Sequence, residues 1–224
     1  MKNSKLITLG AAAVMAATAF SALAKDDENQ GGLGAVRDLP AFTEVSLRGS
    51  MDLVVTSGTS GEDQRVEIIA KPEMLEYIHT RVTRGELRIW MDRKSGFFSR
   101  RGKIKVHISM ADLQGIEING SGDARASGID TDNFAMEING SGDAVLQGRC
   151  ETVSYEINGS GDIDAVALKC VDGSVEINGS GDARIAVTGK LSAEINGSGD
   201  ILALGAPLIE RFSSHGSGSI RTRD

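Results

Sequence analysis

Apolar and polar residues alternate along most of this chain, and that period of two predicts β-strands rather than helices. In the first half, the alternation predicts strands at 42–49, 52–56, 65–70, 86–91 and 103–109, with one short helical turn at 72–77. From residue 113 onward, the alternation recurs in units of 18 to 20 residues. An alternating strand buries one face only, so each unit must pack that face against its neighbours.

One heptapeptide interrupts every unit. Glu-Ile-Asn-Gly-Ser-Gly-Asp stands at 117–123, 137–143, 156–162, 176–182 and 194–200. Glycine adopts positive φ at little cost, so Gly-Ser-Gly permits a sharp corner between two strands. A degenerate copy, Ser-Ser-His-Gly-Ser-Gly-Ser, lies at 213–219, and another, Ser-Leu-Arg-Gly-Ser-Met-Asp, lies at 46–52. The replacements in the last copy are typical of a capping coil, which has a single neighbour.

The alternation on either side of the corners predicts the core. The inward residues of the first strand are Ile116, Ile118, Met136, Ile138, Tyr155, Ile157, Val175, Ile177, Ala193 and Ile195. Those of the second strand are Ala124, Ala126, Ala144, Leu146, Ile163, Ala165, Ala183, Ile185, Ile201 and Ala203. The predicted fold is all-β: a right-handed parallel β-solenoid with two short strands per coil of about 19–20 residues, capped by a β-rich N-terminal part. A left-handed hexapeptide helix and the calcium-binding nonapeptide solenoid do not fit the spacing.

These features resemble a known family, the bacterial head GIN domain, described as the head of autotransporter adhesins. The resemblance extends from about Val36 to Arg223. It rests on the Asn-Gly-Ser-Gly-Asp corners and on three upstream segments, Phe42…Val45…Leu47, Leu87-Arg-Ile and Ile104-Lys-Val-His-Ile. The resemblance implies a solenoid similar to that of pectin lyases but without their catalytic residues, and an adhesin role. No catalytic or binding residue carries over to this chain.

The N-terminus predicts export. Residues 1–24 contain two lysines, an apolar run and a final Ala-Leu-Ala, which is typical of a cleaved secretory signal peptide. Residues 25–35 are polar and glycine-rich and predict a flexible lead-in. A single domain follows at 36–224, with an irregular part at 36–112 and regular repeats at 113–224. We therefore expect a periplasmic protein, or one that is secreted or held at the cell surface.

Charge narrows the range of partners. Cleavage of the predicted signal peptide removes two lysines and no acids, which changes the formal net charge from −7 to −9. Nucleic acids and anionic membranes need a basic footprint, so neither is an expected partner. After cleavage, no remaining apolar stretch is long enough to cross a bilayer. The expected partner is an unidentified envelope protein or glycan, and self-association into a homo-oligomer is left open.

The two cysteines occupy equivalent positions in adjacent units. Cys150 precedes Asn158 by eight residues, and Cys170 precedes Asn178 by eight. Stacked equivalents lie about 5 Å apart, within the range that a disulfide requires. An exported chain with an even number of cysteines favours oxidation. We predict a Cys150–Cys170 disulfide.

Two polar rows follow from the corners. The asparagine row is Asn119, Asn139, Asn158, Asn178 and Asn196, and the aspartate row is Asp123, Asp143, Asp162, Asp182 and Asp200. Stacked amides can hydrogen-bond along the solenoid. Aspartates in register suggest a metal site, but each carboxylate can instead accept backbone N–H bonds from its own corner, as in Asx turns. We favour structural corner roles for both rows.

A third row consists of Glu117, Glu137, Glu156, Glu176 and Glu194. Like charges on adjacent strands repel, and we expect that nothing in the fold requires glutamate at an outward position. One interpretation is a solvated surface that deters edge pairing. The sharper hypothesis is an interaction face for a basic partner or a divalent cation, of which Ca²⁺ is the candidate. The basic loop at 93–103, with its two phenylalanines, suits contact with lipid headgroups or an acidic glycan, but we favour an ordinary hairpin loop whose phenylalanines fold back over the end of the core.

No motif indicates an enzyme. The histidines follow no zinc-ligand spacing, and the Gly-Ser-Gly serines lack the frame of a nucleophile elbow. The acids repeat identically in every unit, whereas an active site would break the repeat. The prediction is a non-catalytic envelope protein that serves as an adhesin-like or ligand-binding scaffold. The alternatives are a carbohydrate-active enzyme of pectin-lyase-like fold and a purely structural envelope component. No cofactor is predicted.

Overall fold

The computed structural model describes residues 33–58, 64–92 and 103–224. These residues form an all-β protein built around a parallel β-solenoid of about five turns. The predicted signal peptide, the lead-in as far as residue 32 and all but Lys103 of the basic loop lie outside the described residues. The fold class predicted from the repeat is confirmed.

The described residues of the N-terminal part form seven strands and one helical turn. The strands are β1 (Leu33–Arg37), β2 (Glu44–Gly49), β3 (Asp52–Thr56), β4 (Arg65–Ala70), β5 (Ile78–Thr83), β6 (Glu86–Met91) and β7 (Lys105–Ser109), and the turn is α1 (Pro72–Leu75). β1 pairs with β4, β4 with β7 and β5 with β6, all in antiparallel orientation. β2 and β3 pair in parallel with the first repeats and thereby join this part to the solenoid.

The repeats supply the remaining strands. These are β8 (Gly115–Gly120), β9 (Ala124–Gly140), β10 (Ala144–Gly159), β11 (Ile163–Gly179), β12 (Ala183–Val187), β13 (Lys190–Gly197), β14 (Ile201–Leu204), β15 (Leu208–Gly216) and β16 (Ile220–Arg223). All pair in parallel with the equivalent strands of adjacent coils. Equivalent corner residues are direct partners, for example Asn158 with Asn139 and with Asn178.

The strands of the central coils are longer than the sequence pattern predicts. β9, β10 and β11 each run for 16 or 17 residues, from one Gly-Ser-Gly corner to the next. The two short strands predicted for each coil are continuous there, because the return bends through a β-bulge, as between Val145 and Gln147, without leaving the ladder. Only the Gly-Ser-Gly corner breaks the strand.

One part of the predicted lead-in is structured. Residues 33–35 belong to β1, which lies antiparallel to β4 at the edge of the sheet. The lead-in was predicted because this segment has little to bury, and within it Gly34 is exposed and Ala35 only half-buried. Backbone hydrogen bonds to an open sheet edge hold β1, and such bonds leave no signal in side-chain hydropathy.

The core follows the predicted alternation. All twenty inward residues predicted for the repeats are buried, each with at most 4% of its surface exposed. The N-terminal part continues the same core through Val45, Leu47, Leu53, Leu87 and Ile89. Burial of aliphatic side chains is worth about 1.5–3 kcal/mol each, so the continuous apolar column is the main source of stability.

The last coil, β15 and β16, pairs with the preceding coil only. Ser213, Ser214 and His215 replace the Glu, Ile and Asn of the other corners. Leu208, at 67%, and Phe212, at 41%, are nevertheless exposed. The inward residues of the coil beneath, Ala193, Ile195, Ile201 and Ala203, are buried, as a cap requires, but the cap is less polar than its corner suggests.

The predicted disulfide is present. Cys150 and Cys170 are register partners in β10 and β11, with their Cα atoms 4.6 Å apart. Both residues are buried, and the bond closes a loop of 20 residues between adjacent coils.

Reduction of this disulfide should lower the free energy of unfolding by about 3 kcal/mol, because a cross-link of this loop length restricts the unfolded chain. Urea denaturation with and without a reductant measures the change. The variant Cys150→Ala/Cys170→Ala is the control and should not respond to the reductant. An unfolding curve of the parent that is identical in both conditions would contradict the prediction.

Candidate functional site

The corners stack so closely that their glycines admit no side chain. A Cβ atom on Gly159 would lie 2.0 Å from the carbonyl oxygen of Gly140, and one on Gly161 would lie 2.1 Å from that of Gly142. Gly159 also has φ of +147°, in the region that favours glycine. Because the corners are so close, the backbone N–H of Ser160 donates to the Gly140 oxygen at 2.8 Å. The same bond recurs at every corner.

The asparagines form a side-chain ladder beside this backbone ladder. Each amide nitrogen donates to the Oδ1 atom of the asparagine one coil earlier, at 3.2, 3.0, 3.0 and 2.9 Å from Asn139 to Asn196. The ladder begins at Asn119, because Arg48 occupies the equivalent position in the upstream corner. The structural role assigned to this row from the sequence agrees with these contacts.

The aspartates bridge coils, which differs from the predicted Asx turns. Oδ1 of each aspartate accepts the backbone N–H of the aspartate in the next coil and not that of its own corner. The donor–acceptor distances are 3.1, 3.0, 2.8 and 2.7 Å from Asp143 to Asp200. The row begins at Asp52 and ends at Ser219. The parallel stack places the next corner's N–H within reach, and that bond ties coils together as well as shaping a turn.

The glutamates have a structural role that the sequence pattern did not reveal. Oε1 of Glu137, Glu156 and Glu176 accepts the second amide N–H of the asparagine two residues later, at 2.6, 2.8 and 2.9 Å. The expectation that nothing in the fold calls for glutamate here was therefore wrong. The carboxylate satisfies an amide whose other N–H is committed to the ladder, and this fixes the orientation of the amide.

The three central glutamates retain one unpaired oxygen. Within the part of the chain that the structure describes, Oε2 of Glu137, Glu156 and Glu176 makes no hydrogen bond or ion pair. These residues are direct register partners, so their carboxylates repeat about every 4.8 Å. That spacing is well inside the Debye length of about 8 Å at physiological ionic strength. The trio therefore presents a concentrated negative strip.

Both ends of the glutamate row are compensated. Ser46 Oγ donates to Glu117 Oε2 at 2.7 Å. Burial would raise the pKa of Glu117, but this bond and the charges of Arg48 and Arg88 outweigh it and hold the pKa below its usual value. At the other end, Arg211 lies 3.2 Å from Glu194 Oε2. The strip with free charge is thus confined to the three central coils.

Two features that the described residues lack bear on the site. Among residues 33–58, 64–92 and 103–224, no group of three or more His, Cys, Asp and Glu side chains is arranged to hold a metal ion. Nor does this part of the chain contain a helix that is long and apolar enough to span a bilayer.

Stacked corners, a continuous apolar column and outward polar rows define a repeat protein of the parallel β-solenoid class. Residues 41–207 match the family model described as "Putative auto-transporter adhesin, head GIN domain". This match covers most of the chain, so the chain belongs to that family, as the corner motifs indicated. None of the curated proteins is similar enough to the chain to count as a match.

Solved structures show the same fold. A "putative adhesin" from Bacteroides fragilis NCTC 9343 is 21% identical with a TM-score of 0.70, and the match covers 86% of this chain and 97% of that one. A "putative adhesin" from Parabacteroides distasonis ATCC 8503 is 18% identical with a TM-score of 0.56, with 87% and 98% covered. One from Parabacteroides merdae ATCC 43184 is 16% identical with a TM-score of 0.53, with 88% and 98% covered.

Substitution of the corner residues separates backbone packing from surface chemistry. Gly159→Ala should destabilise the protein by at least about 3 kcal/mol, because its Cβ meets the Gly140 carbonyl and its φ is unfavourable for alanine. Ser160→Ala is the matched control, because the Ser160 side chain is exposed, and it should change stability by less than about 0.5 kcal/mol. Equal unfolding midpoints for the two variants in urea would refute this account of the corner.

The hydrogen bonds to Asp200, the last aspartate of the row, lead us to predict a measurable pH effect. The Ser219 hydroxyl and backbone N–H both donate to Asp200 Oδ1 at 2.8 Å, and they hold the pKa of Asp200 below its usual value. A lowered folded-state pKa stabilises the protein above the unfolded pKa, and that stabilisation is lost as the pH falls through the folded value. Ser219→Ala should move the pKa of Asp200 upward, toward the usual aspartate value of about 3.9.

An NMR titration of the Asp200 carboxyl carbon between pH 2 and pH 6 measures this shift, and the range brackets the usual pKa of about 3.9. Ser217→Ala is the control, because Ser217 is an exposed serine of the same corner and no bond from its side chain to Asp200 is present. The pKa should move in Ser219→Ala only. An identical Asp200 titration in both variants would show that the Ser219 hydroxyl has no effect.

Proposed function

We propose that this protein is an exported, non-catalytic scaffold of the adhesin type, and that its central glutamate strip receives a basic partner. Membership of the head GIN family supports the adhesin-like role. The signal-peptide pattern at 1–24 supports export, and a disulfide is typical of oxidising compartments outside the cytoplasm. The proposed location is the periplasm or the cell surface.

The free Oε2 atoms of Glu137, Glu156 and Glu176 carry the proposal. Their Oε1 atoms are anchored to asparagines, so the side chains are held in place before any partner arrives. A pre-ordered row loses little conformational entropy on binding. Lysine or arginine side chains on an extended or helical partner can pair with successive carboxylates along such a row.

A binding role accounts for the repeat better than catalysis does. Acid–base catalysis uses two carboxyl groups in different environments, with pKa values that are pushed apart. The three central glutamates have the same partner, the same neighbour spacing and the same outward orientation. Identical groups in a row suit multivalent charge recognition.

The charge-neutral variant Glu137→Gln/Glu156→Gln/Glu176→Gln tests the strip. Glutamine keeps the Oε1 acceptor, so the asparagine ladder and the fold should survive. Affinity for a decalysine peptide should fall about tenfold, as expected for the loss of three exposed ion pairs of about 0.5 kcal/mol each. Fluorescence anisotropy at low and physiological salt, with and without calcium, gives the affinity.

The matched control changes the same number of charges elsewhere. Glu73→Gln/Asp132→Asn/Glu151→Gln replaces three exposed acids that lie outside the row and should bind decalysine almost as the parent does. Equal losses in the two triple variants would mean that net charge alone attracts the peptide. If the row variant gained stability from relieved repulsion and kept full affinity for decalysine, the strip would be solvated surface without a binding role. If the row variant alone lost affinity, and only when calcium was present, the strip would be a cation site and not a site for a basic partner.

A further inference from the structure

A second distinctive surface lies at the N-terminal end of the same sheet face, before the glutamate row begins. An open cleft there is lined by Arg48, Arg81, Arg88 and Trp90, together with exposed serines of the first corners. Three arginines in one cleft stand out on a chain with a net charge of −7. Neither the glutamate strip nor the corner ladder accounts for them.

Strand register places these side chains on a small grid. Arg81 is the direct partner of Arg88, and His79 is the direct partner of Trp90, across the antiparallel β5–β6 pair. On the other side of β6, Ser46 partners Arg88. Arg48 follows the last paired residue of β2, Leu47, whose partner Ile89 precedes Trp90, and both Arg48 and Trp90 line the cleft. Neighbouring grid points are about 4.8 Å apart across strands and about 6.6 Å apart along them.

Charge in the cleft is only partly compensated. Arg88 contacts Glu86 at 2.7 Å, and Asp92 lies 3.0 Å from His79 Nε2. Within the described residues, Arg81 makes no hydrogen bond or ion pair, although it lies directly opposite Arg88. Like charges in that position destabilise a sheet. Arg48 makes no ion pair either, and its charge reaches Glu117 only as a longer-range influence on the pKa. Asp92 is the acidic residue among those that line the cleft, so Arg48 and Arg81 are the guanidinium groups open to an added anion.

Trp90 gives the cleft an apolar floor. It is on the outward face of β6, directly after the buried Ile89, and it is partly exposed. His79 stacks on it with ring centroids 5.4 Å apart and an interplanar angle of 29°. An indole that remains partly exposed beside free guanidinium groups supplies apolar area next to cations. Ser50, Ser121 and Ser141 also line the cleft.

We propose that this cleft binds an acidic saccharide, with a sugar ring against Trp90 and its carboxylates on Arg48 and Arg81. The C–H face of a pyranose packs on an aromatic ring, and the guanidinium fork pairs with a carboxylate through two parallel hydrogen bonds. The grid spacing matches successive rings of a short oligosaccharide. The neighbouring glutamate row would repel a long polyanion or an anionic bilayer, so a short acidic glycan is favoured over nucleic acid or lipid.

Isothermal titration of the full chain with trigalacturonate, trimannuronate and trisialic acid tests the site. At least one of these should bind, and its carboxyl methyl ester should bind at least about tenfold more weakly, because a charge-assisted hydrogen bond is lost. Arg81→Gln, Arg48→Gln and Trp90→Leu should each weaken binding by about tenfold or more. Arg125→Gln is the matched control: it removes an exposed arginine outside the cleft and should leave affinity unchanged.

The outcomes separate this site from the glutamate strip. The triple glutamate-to-glutamine variant should retain saccharide binding, so either proposal can fail alone. Absence of binding to all three saccharides would overturn the inference. Equal losses in Arg125→Gln and Arg81→Gln would also overturn it, because the effect would then be one of net charge. Tight binding to vesicles of phosphatidylglycerol, lost in the same arginine variants, would assign the cleft to lipid instead.

Discussion

The close stacking of the Gly-Ser-Gly corners is the constraint on which the rest of the structure depends. Consecutive corners approach so closely that a Cβ on either glycine would overlap the carbonyl oxygen of the previous coil. This contact allows Ser N–H, Asp N–H and Asn amide bonds to form from coil to coil. It also fixes the register of every strand that leaves the corner. The apolar column between the corners supplies most of the stabilising burial, and the corners determine which residues lie in that column.

The strand register that the corners impose also determines which side chains lie on the outer surface of the solenoid. A residue type repeated at one position of the motif becomes a straight row on the outside of the solenoid, and both the asparagine and the glutamate rows arise in this way. Only where the motif changes can the surface differ. At the N-terminal end, Arg48 replaces asparagine and Ser46 replaces glutamate, and at the other end Arg211 neutralises Glu194. The proposed acidic strip and the proposed basic cleft therefore lie side by side on one face.

Much of the fold could be predicted from the sequence, because it depends on two periods that can be counted: the alternation along each strand and the spacing of the corners. Period-two alternation identified the twenty inward residues on either side of the corners, and the 20-residue spacing paired Cys150 with Cys170. The alternation did not identify the buried residues of the return segments, such as Ile129, Leu168 and Leu191. The hydrogen-bond partners of the aspartates and glutamates were not accessible, since the same residues could bond within a corner or between corners. The arginine cleft was missed for a different reason. Trp90 on an outward position was a visible signal, but its proximity to Arg48 requires the parallel β2–β6 pairing, which joins segments forty residues apart without a repeat.

Native-state hydrogen exchange at one central corner tests the account most directly. Ser160 has an exposed side chain, but its N–H donates to Gly140, and the Asp162 N–H donates to Asp143 Oδ1 at 3.0 Å. If the corner ladders hold the coils in register, these two amides should exchange as slowly as that of the buried Ile157, through global unfolding only. Fast exchange at Ser160 and Asp162 beside a protected Ile157 would show that the core maintains the solenoid without its corners.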